Sequence, residues 1–161
     1  MDNILLHLLI PILALRIISY FTRIDKKTIL LLSPLAVFPD IDYFFGYHRA
    51  TLHNVFVAAA VIILAVFAMR ILFKERDWIK IAFVSFFYFA AHLIIDVGGV
   101  ILFYPLTRKG IDLLGRSVRL EDLQGYHVGA GFFLFYGIGV LAVLSFLIAE
   151  VVIEERKKAR K

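Results

Sequence analysis

Long apolar segments dominate this chain and limit what it can fold into. Four of them are each about as long as a helix that crosses the roughly 30 Å hydrocarbon core of a bilayer. They cover residues 4–24, 51–73, 78–97 and 127–153. Hydrophobic residues make up 61% of the 161 positions, whereas soluble domains are about half apolar. The sequence therefore predicts an all-α, polytopic membrane protein with about four transmembrane helices in a single domain, residues 1–161.

A fifth apolar segment, residues 28–38, is too short to cross a membrane. As a helix it would reach about 16 Å, which is about half the hydrocarbon thickness. Pro34 and Pro39 limit it further, because proline lacks the N–H group that a helix interior needs. We expect a half-helix that delivers the following Pro-Asp-Ile-Asp turn into the membrane or to its interface. Irregular backbone is tolerated at that depth only inside protein or around a wet cavity, so a polar cavity is expected there.

Polar side chains concentrate between Phe38 and Asn54, the stretch that joins the half-helix to the second span. These 17 residues contain two aspartates, two histidines and an arginine. Carboxylate oxygens and imidazole nitrogens are the ligands that hold Zn²⁺ and similar divalent ions. Three similar residues lie near the ends of the first and third spans. The candidate metal ligands are His7, Asp40, Asp42, His48, His53, His92 and Asp96.

The spacing of the histidines indicates how they could meet. His92 and Asp96 lie four residues apart, share a helix face and can bind one metal ion from one helix. His48 and His53 lie five apart and cannot share a face. They converge if His48 lies in the loop and His53 in the first turn of a helix capped by Thr51. Both pairs fit a metal site, while a hydrogen-bonded pair and interfacial histidines remain the alternative interpretations.

Asp40, Asp42 and Arg49 have predicted roles of their own. We expect one aspartate to bind a metal ion and the other to bind a second ion or to act as a general base, with Asp40 as the candidate catalytic residue. Turn capping is the alternative, since Asp after Pro is common in turns. Arg49 is predicted to hold an anionic group of the substrate, such as phosphate. It could equally neutralise the aspartates or extend toward the membrane surface.

The basic residues indicate the orientation in the membrane. With the N-terminus outside and alternating spans, twelve of the 18 Lys and Arg residues lie on the inner side and five on the outer side. The positive-inside rule favours this arrangement. It puts all candidate ligands on the outer side and the basic tail, residues 154–161, in the cytoplasm. Because loops and tail account for the basic residues, we expect no nucleic-acid partner despite the net charge of +5.

Several of these motifs resemble a known family. Residues 4–106 resemble the YdjM-type family in PDID, in HRATLHN, and in AHLIID followed by LFYPL, with a histidine early in the first span. Its members are inner-membrane proteins, some under LexA control, described as predicted membrane-bound metal-dependent hydrolases. The order of histidines and aspartates is also similar, more weakly, to the zinc-dependent phospholipase C and single-strand nuclease superfamily. That second likeness implies phosphodiester hydrolysis.

The function predicted from the sequence is metal-dependent hydrolysis at the membrane. One or two Zn²⁺ ions would activate water for attack on an ester or phosphoester, with a membrane lipid as the expected substrate. A non-catalytic scaffold, in which metal locks helices together, and a small transporter are the alternatives. The expected core ligands are His53, His92, Asp96 and Asp42, and the expected second site consists of His7, Asp40 and His48.

Overall fold

The structure, a computed structural model, describes residues 4–44, 47–74, 76–96, 99–111 and 115–123. Within these residues the α-helices are α1 (Ile4–Ser19), α2 (Lys26–Leu32), α3 (Val55–Leu72) and α4 (Trp78–Ile95). Short 3₁₀ helices cover Ser33–Ala36, Pro39–Phe44 and Leu120–Leu123. Strands β1 (Lys109–Ile111) and β2 (Ser117–Arg119) form an antiparallel pair in which Gly110 lies opposite Val118. The described chain is mostly helical, and this small sheet is an element that the all-α prediction did not include.

Helices α3 and α4 are long and apolar enough to cross a membrane. Each has 18 residues, with mean hydropathies of 2.8 and 1.8. Only 6% of α3 and 33% of α4 is buried inside the protein, so most of their apolar surface faces outward. Their bounds lie within a few residues of the predicted second and third spans. Residues 127–153 and the tail lie outside the described part of the chain, so the fourth crossing stays a prediction.

Helix α1 is shorter than the sequence predicted. It has 16 residues, about 24 Å at 1.5 Å per residue, and ends at Ser19 rather than near Ile24. The Ser19 hydroxyl donates a hydrogen bond to the carbonyl of Arg16 at 2.6 Å, and the N–H of Tyr20 bonds the carbonyl of Ile17. These tight bonds replace the helical pattern in the last turn. A first crossing over residues 4–24 is therefore not confirmed.

Helix α4 is the centre of the packing. It contacts α1, α2, α3 and the first 3₁₀ helix. The buried side chains at these contacts are apolar: Leu8, Leu15, Ile29, Ile81 and Val84. One polar group, the Tyr88 hydroxyl, is satisfied by the carbonyl of Ile29 at 2.8 Å. This apolar core fixes the positions of both ends of α4 relative to the neighbouring helices.

The half-helix is short and broken, as expected. Asp25 caps α2 by accepting a hydrogen bond from the N–H of Thr28 at 2.9 Å, and its carboxylate also contacts Nζ of Lys80 at 2.9 Å. The helix therefore begins at Lys26, two residues before the predicted start. At Ser33 the chain continues as a 3₁₀ helix with Pro34 in its first turn. The ion pair fixes the beginning of α2 to the beginning of α4.

Asn54, and not Thr51, caps α3. The Asn54 side chain accepts hydrogen bonds from the N–H groups of Phe56 and Val57 and donates to the carbonyls of Ala50 and Thr51. An amide can cap a helix and hold the preceding turn at once, which a threonine hydroxyl cannot do with four partners. The prediction of Thr51 as the cap is therefore wrong, and His53 lies just before the helix.

A second, smaller core covers one side of the stretch before α3. Ala50, Ile101 and Leu120 are buried together, with Tyr47 and Tyr104 against them. The strand β1 approaches this core at Gly110, where an added Cβ would lie 2.2 Å from the carbonyl oxygen of Val100. Glycine at this position allows two backbones to touch.

Replacing Gly110 with alanine should displace the strand pair. The new Cβ would collide with backbone atoms, which cannot move as a side-chain end can, so we expect a loss of about 1–3 kcal/mol in unfolding free energy. Gly115→Ala is the control, because its φ of +77° carries a backbone penalty of about 1 kcal/mol but its Cβ meets nothing within 4 Å. Thermal unfolding in detergent measures both. An equal loss in the two variants would contradict this packing.

Candidate metal centre

All seven predicted ligands meet at one end of the helices. His7 comes from the first turns of α1, and the aspartates come from the 3₁₀ helix Pro39–Phe44. His48 and His53 come from the turn before α3, His92 lies in the last turn of α4, and Asp96 directly follows that helix. Every one of these residues is at least nine-tenths buried. The expectation that residues scattered over four segments share one end of the fold is therefore met.

The decisive contact joins two imidazole rings. Nε2 of His53 and Nε2 of His92 face each other at 3.0 Å. Each ring uses its other nitrogen elsewhere: Nδ1 of His53 lies 2.9 Å from Oδ2 of Asp42, and Nδ1 of His92 lies 2.7 Å from the carbonyl of Ala36. A carbonyl can only accept, so Nδ1 of His92 must carry the proton. Its Nε2 then presents a lone pair, as does that of neutral His53, and both lone pairs point at the same space.

Carboxylate oxygens surround this space. Oδ2 of Asp96 lies 3.1 Å from Nε2 of His53 and 3.9 Å from Nε2 of His92. Oδ1 of Asp40 lies 4.0 and 3.6 Å from the same two nitrogens. Ligands at 2.0–2.2 Å from a tetrahedral zinc ion are about 3.3–3.6 Å apart, within the range of these separations. Donor types and spacing therefore fit a divalent metal ion.

Several of these buried oxygens have no aligned hydrogen-bond donor among the described residues. They are Oδ1 of Asp40 and both oxygens of Asp96. The approach of His53 to Asp96 is close but poorly aligned, so it is an ion-pair distance and not a hydrogen bond. Buried polar atoms are nearly always paired, and one explanation for unpaired ones is an ion. The cluster could thus hold a metal ion with its side chains arranged as they are in this structure.

His7 and His48 extend the cluster on two sides. His7 lies against the ring of His92 at a centroid distance of 4.4 Å, with Nδ1 at 3.4 Å from Oδ2 of Asp40. His48 meets the ring of His53 edge-on at 5.1 Å. Three overlapping groups could each hold an ion. They are His53 with His92 and Asp96, His7 with Asp40 and His92, and Asp40 with His48 and His53.

Asp42 lies behind the histidines rather than at the centre. Oδ1 lies 2.8 Å from Nδ1 of His48, Oδ2 lies 2.9 Å from Nδ1 of His53, and Oδ2 also accepts the N–H of Leu52 at 3.1 Å. A 3₁₀ helix has three residues per turn, so residues two apart point in different directions. This is why Asp40 faces the centre and Asp42 does not. Carboxylates in the position of Asp42 orient metal-binding histidines.

Arg49 lies at the edge of the cluster in an unusual backbone conformation. Its φ is 65°, in the left-handed region that non-glycine residues seldom adopt. Nη2 lies 3.5 Å from Oδ1 of Asp96, and the Arg49 carbonyl accepts the N–H of Ile101 at 3.0 Å. The side chain is 17% exposed. The guanidinium therefore contacts the buried cluster and still reaches its surface.

The electrostatics of the cluster favour a positive charge at Nε2 of His53. Burial alone would lower the pKa of His53, but the carboxylates of Asp42 and Asp96 raise it to about 9. Burial would likewise raise the pKa of Asp96, yet His53 and Arg49 hold it at about 2. The pKa of Asp42 is also lowered, since the hydrogen bonds from His48 and His53 outweigh its burial. The cluster thus favours positive charge at the position where a cation would bind.

The sequence model of the YdjM inner membrane protein family matches residues 1–156. The chain belongs to this family. The match confirms the resemblance drawn from the short motifs and identifies an inner-membrane protein. No curated protein and no solved structure matches the chain with significance.

Two contacts of the cluster could not be found from the sequence. The carbonyl of Ala36, which fixes the ring of His92, belongs to a residue with no polar side chain. The N–H of Ile101, which donates to the backbone carbonyl of Arg49, is likewise a main-chain group that the side-chain pattern does not reveal. The only signal for the first was the pair of prolines that breaks the half-helix, because a broken helix leaves carbonyl groups free.

Asp42→Asn should weaken metal binding without unfolding the protein. An amide can accept from one histidine, but its NH₂ group would then face the N–H of the other, so one ring must turn or lose its partner. We expect a 10- to 100-fold loss of zinc affinity, about the usual effect of removing such a carboxylate. Competition with a chromophoric chelator measures it. Asp25→Asn, at the opposite end, is the control, and equal affinity in both variants would contradict the role of Asp42.

Metal affinity should rise with pH. The pKa of His53 in the metal-free protein lies above the ordinary value of 6.5, at about 9. Its protonated form therefore stabilises the metal-free fold below pH 6.5, and this contribution is lost as the pH rises through about 9. A cation must displace that proton, so affinity should increase by up to about tenfold per pH unit below this value. Calorimetry in buffers of different ionisation enthalpy would detect the released proton, and a pH-independent affinity would contradict it.

Proposed function

We propose that this protein is a membrane-bound metal-dependent hydrolase that cleaves an ester or a phosphoester, with a membrane lipid as the substrate. The observation that carries the proposal is the convergence of Nε2 of His53, Nε2 of His92 and carboxylate oxygens without an aligned hydrogen-bond donor on one buried space. The nitrogen and oxygen ligands suit a divalent ion, and we propose Zn²⁺. A bound zinc ion would supply a nucleophile by lowering the pKa of its water to about 7.

The nearest three donors are the proposed metal ligands. His53, His92 and Asp96 form one of the three possible groups, with separations of 3.0, 3.1 and 3.9 Å. Catalytic zinc sites commonly use three protein ligands and leave one position for water. Asp42 accepts a hydrogen bond from Nδ1 of His53 and so fixes the orientation of that ring. The sequence predicted Asp42 among the core ligands. In this assignment Asp42 is not a ligand, and Asp40 is the aspartate that faces the centre of the cluster.

Asp40 is the proposed general base. Its Oδ1 faces the two Nε2 atoms at 3.6 and 4.0 Å, slightly farther out than the ligands, and its Oδ2 lies 3.4 Å from Nδ1 of His7. A proton taken up by Asp40 would thus be next to an imidazole that can share it. His7 and His48 are the additional donors for a second ion bound through Asp40.

Arg49 is the proposed binding group for the anionic part of the substrate. Its guanidinium contacts Asp96 and reaches the surface of the cluster, so it can meet a phosphate there. This role favours a phosphoester over a carboxylic ester. The same contact also neutralises one carboxylate, and the two roles are compatible because a guanidinium has five N–H donors.

The alternatives fit less of the cluster. A transporter needs polar groups along the membrane path, but the described core between the cluster and the Asp25–Lys80 pair is apolar apart from four hydroxyl-bearing residues, Thr28, Ser33, Ser85 and Tyr88. A scaffold needs only four ligands for a structural zinc, whereas seven histidines and aspartates converge here. The excess of donors and the arginine are what favour catalysis.

Metal content and hydrolysis together test the proposal. Purified wild-type protein should contain zinc, and both His92→Ala and Asp96→Asn should lose it, while Asp25→Asn should retain it. Asp40→Asn should retain the metal but lower kcat on a phosphodiester or ester substrate by about 10²–10⁴, the usual contribution of a general base. Elemental analysis and chromogenic substrates provide the two readouts.

Two results would overturn the proposal in different ways. Metal retained in both His92→Ala and Asp96→Asn would place the ion elsewhere. Stoichiometric metal with no hydrolysis of phosphomonoesters, phosphodiesters, carboxylic esters or phospholipids would leave the scaffold as the function.

A further inference from the structure

A surface segment outside the metal cluster combines exposed apolar residues with adjacent positive charges. Residues 102–109 read Leu-Phe-Tyr-Pro-Leu-Thr-Arg-Lys. Phe103 is 54% exposed and Leu106 is 76% exposed, so more than half of the surface of each of these two large apolar residues is left uncovered by the described part of the chain. Arg108 and Lys109 follow at once and are exposed as well. The apolar and basic residues are thus close neighbours in one short exposed segment.

Backbone hydrogen bonds give this segment a defined shape. The N–H of Tyr104 bonds the carbonyl of Ile101 at 3.2 Å, and the N–H of Thr107 bonds the carbonyl of Phe103 at 3.1 Å. At its end the carbonyl of Arg108 accepts the N–H of Leu120 at 3.0 Å. Backbone hydrogen bonds therefore fix residues 102–109 at both ends and in the middle.

The segment is fixed at the end of an apolar helix. The N–H of Val55, the first residue of α3, donates to the carbonyl of Leu102 at 2.9 Å. A helix of 18 residues is about 27 Å long, close to the thickness of the hydrocarbon core, so a crossing α3 has its ends at the two boundaries of that core. Leu102 then lies at the boundary, and the residues after it lie in the interfacial region.

The composition of residues 102–109 matches that of segments at a membrane interface. Tyrosine rings concentrate at membrane interfaces, and Tyr104 lies 6.3 Å from the ring of Tyr47 beside the segment. Lysine and arginine next to an apolar anchor are attracted to the phosphates of anionic lipids. An aqueous surface would instead leave Phe103 and Leu106 exposed to water at a cost of about 25 cal/mol per Å².

We propose that residues 102–109 form a membrane-interfacial segment, in which Phe103 and Leu106 insert among lipid acyl chains and Arg108 and Lys109 bind the phosphates of anionic headgroups. The partner is the phospholipid surface of the membrane that α3 and α4 cross. This inference does not depend on hydrolysis. It adds to the proposed function that the segment directly after Ile101, whose N–H bonds the carbonyl of Arg49, contacts lipid.

Tryptophan fluorescence tests the depth of the segment. Trp78 is the only tryptophan, so Phe103→Trp and Leu106→Trp in a Trp78→Phe background each give a single reporter. Glu121→Trp in the same background, at an exposed acidic position, is the aqueous reference, and wild-type Trp78 at the start of α4 is the interfacial one. Each full-length protein is placed in phosphatidylcholine vesicles with brominated acyl chains, and unchanged unfolding temperatures show that the variants are folded.

The two reporters in the segment should behave like Trp78. We expect quenching by the brominated chains, emission at shorter wavelength than that of Glu121→Trp, and protection from acrylamide in water. Quenching by acrylamide to the extent seen for Glu121→Trp, without quenching by brominated chains, would overturn the proposal. Leu106→Trp decides the outcome if Phe103→Trp unfolds.

A second measurement tests the headgroup preference. Brominated phosphatidylglycerol, diluted in ordinary phosphatidylcholine, should quench Phe103→Trp about two- to fivefold more than brominated phosphatidylcholine at the same mole fraction. The double variant Arg108→Gln, Lys109→Gln should bring this ratio to about one. A ratio near one in the parent protein, or an unchanged ratio in the double variant, would overturn the assignment of these two residues to anionic headgroups.

Discussion

The face-to-face approach of two imidazole nitrogens is the constraint on which this end of the protein depends. Nε2 of His53 and Nε2 of His92 lie 3.0 Å apart with Asp96 beside them, and each ring is locked from behind by a partner that accepts the Nδ1 proton. Two lone pairs at this distance repel unless a positive charge lies between them. The negative charge of the neighbouring carboxylates of Asp96 and Asp40 further favours a cation at this place. Segments from four parts of the chain therefore converge on a place for a cation.

The rest of the fold supplies the rigidity that this convergence requires. The apolar contacts of α4 with its neighbours set where the ends of the helices lie, and the Asp25–Lys80 pair fixes the opposite end. Polar ligands are thus confined to one end of a largely apolar set of helices. Such a division suits a membrane protein, since it keeps charged groups away from the hydrocarbon while bringing them within reach of lipid headgroups.

Residue type and position in the apolar pattern were enough to predict where the ligands meet. His92 and Asp96 had to share a helix face, and the short segment before Asp40 had to end at the same level as α4. The role of Asp42 could not be predicted, because it follows from the 3₁₀ geometry of Pro39–Phe44, in which alternate residues diverge. The cap at Asn54, the early end of α1 and the strand pair depend on local hydrogen bonds that apolar periodicity does not encode.

X-ray absorption spectroscopy of the zinc-loaded protein tests the central claim most directly. The account predicts nitrogen and oxygen neighbours at about 2.0–2.1 Å, together with the outer-shell scattering of at least two imidazole rings. A spectrum of a zinc ion surrounded by oxygen alone, without imidazole scattering, would contradict it.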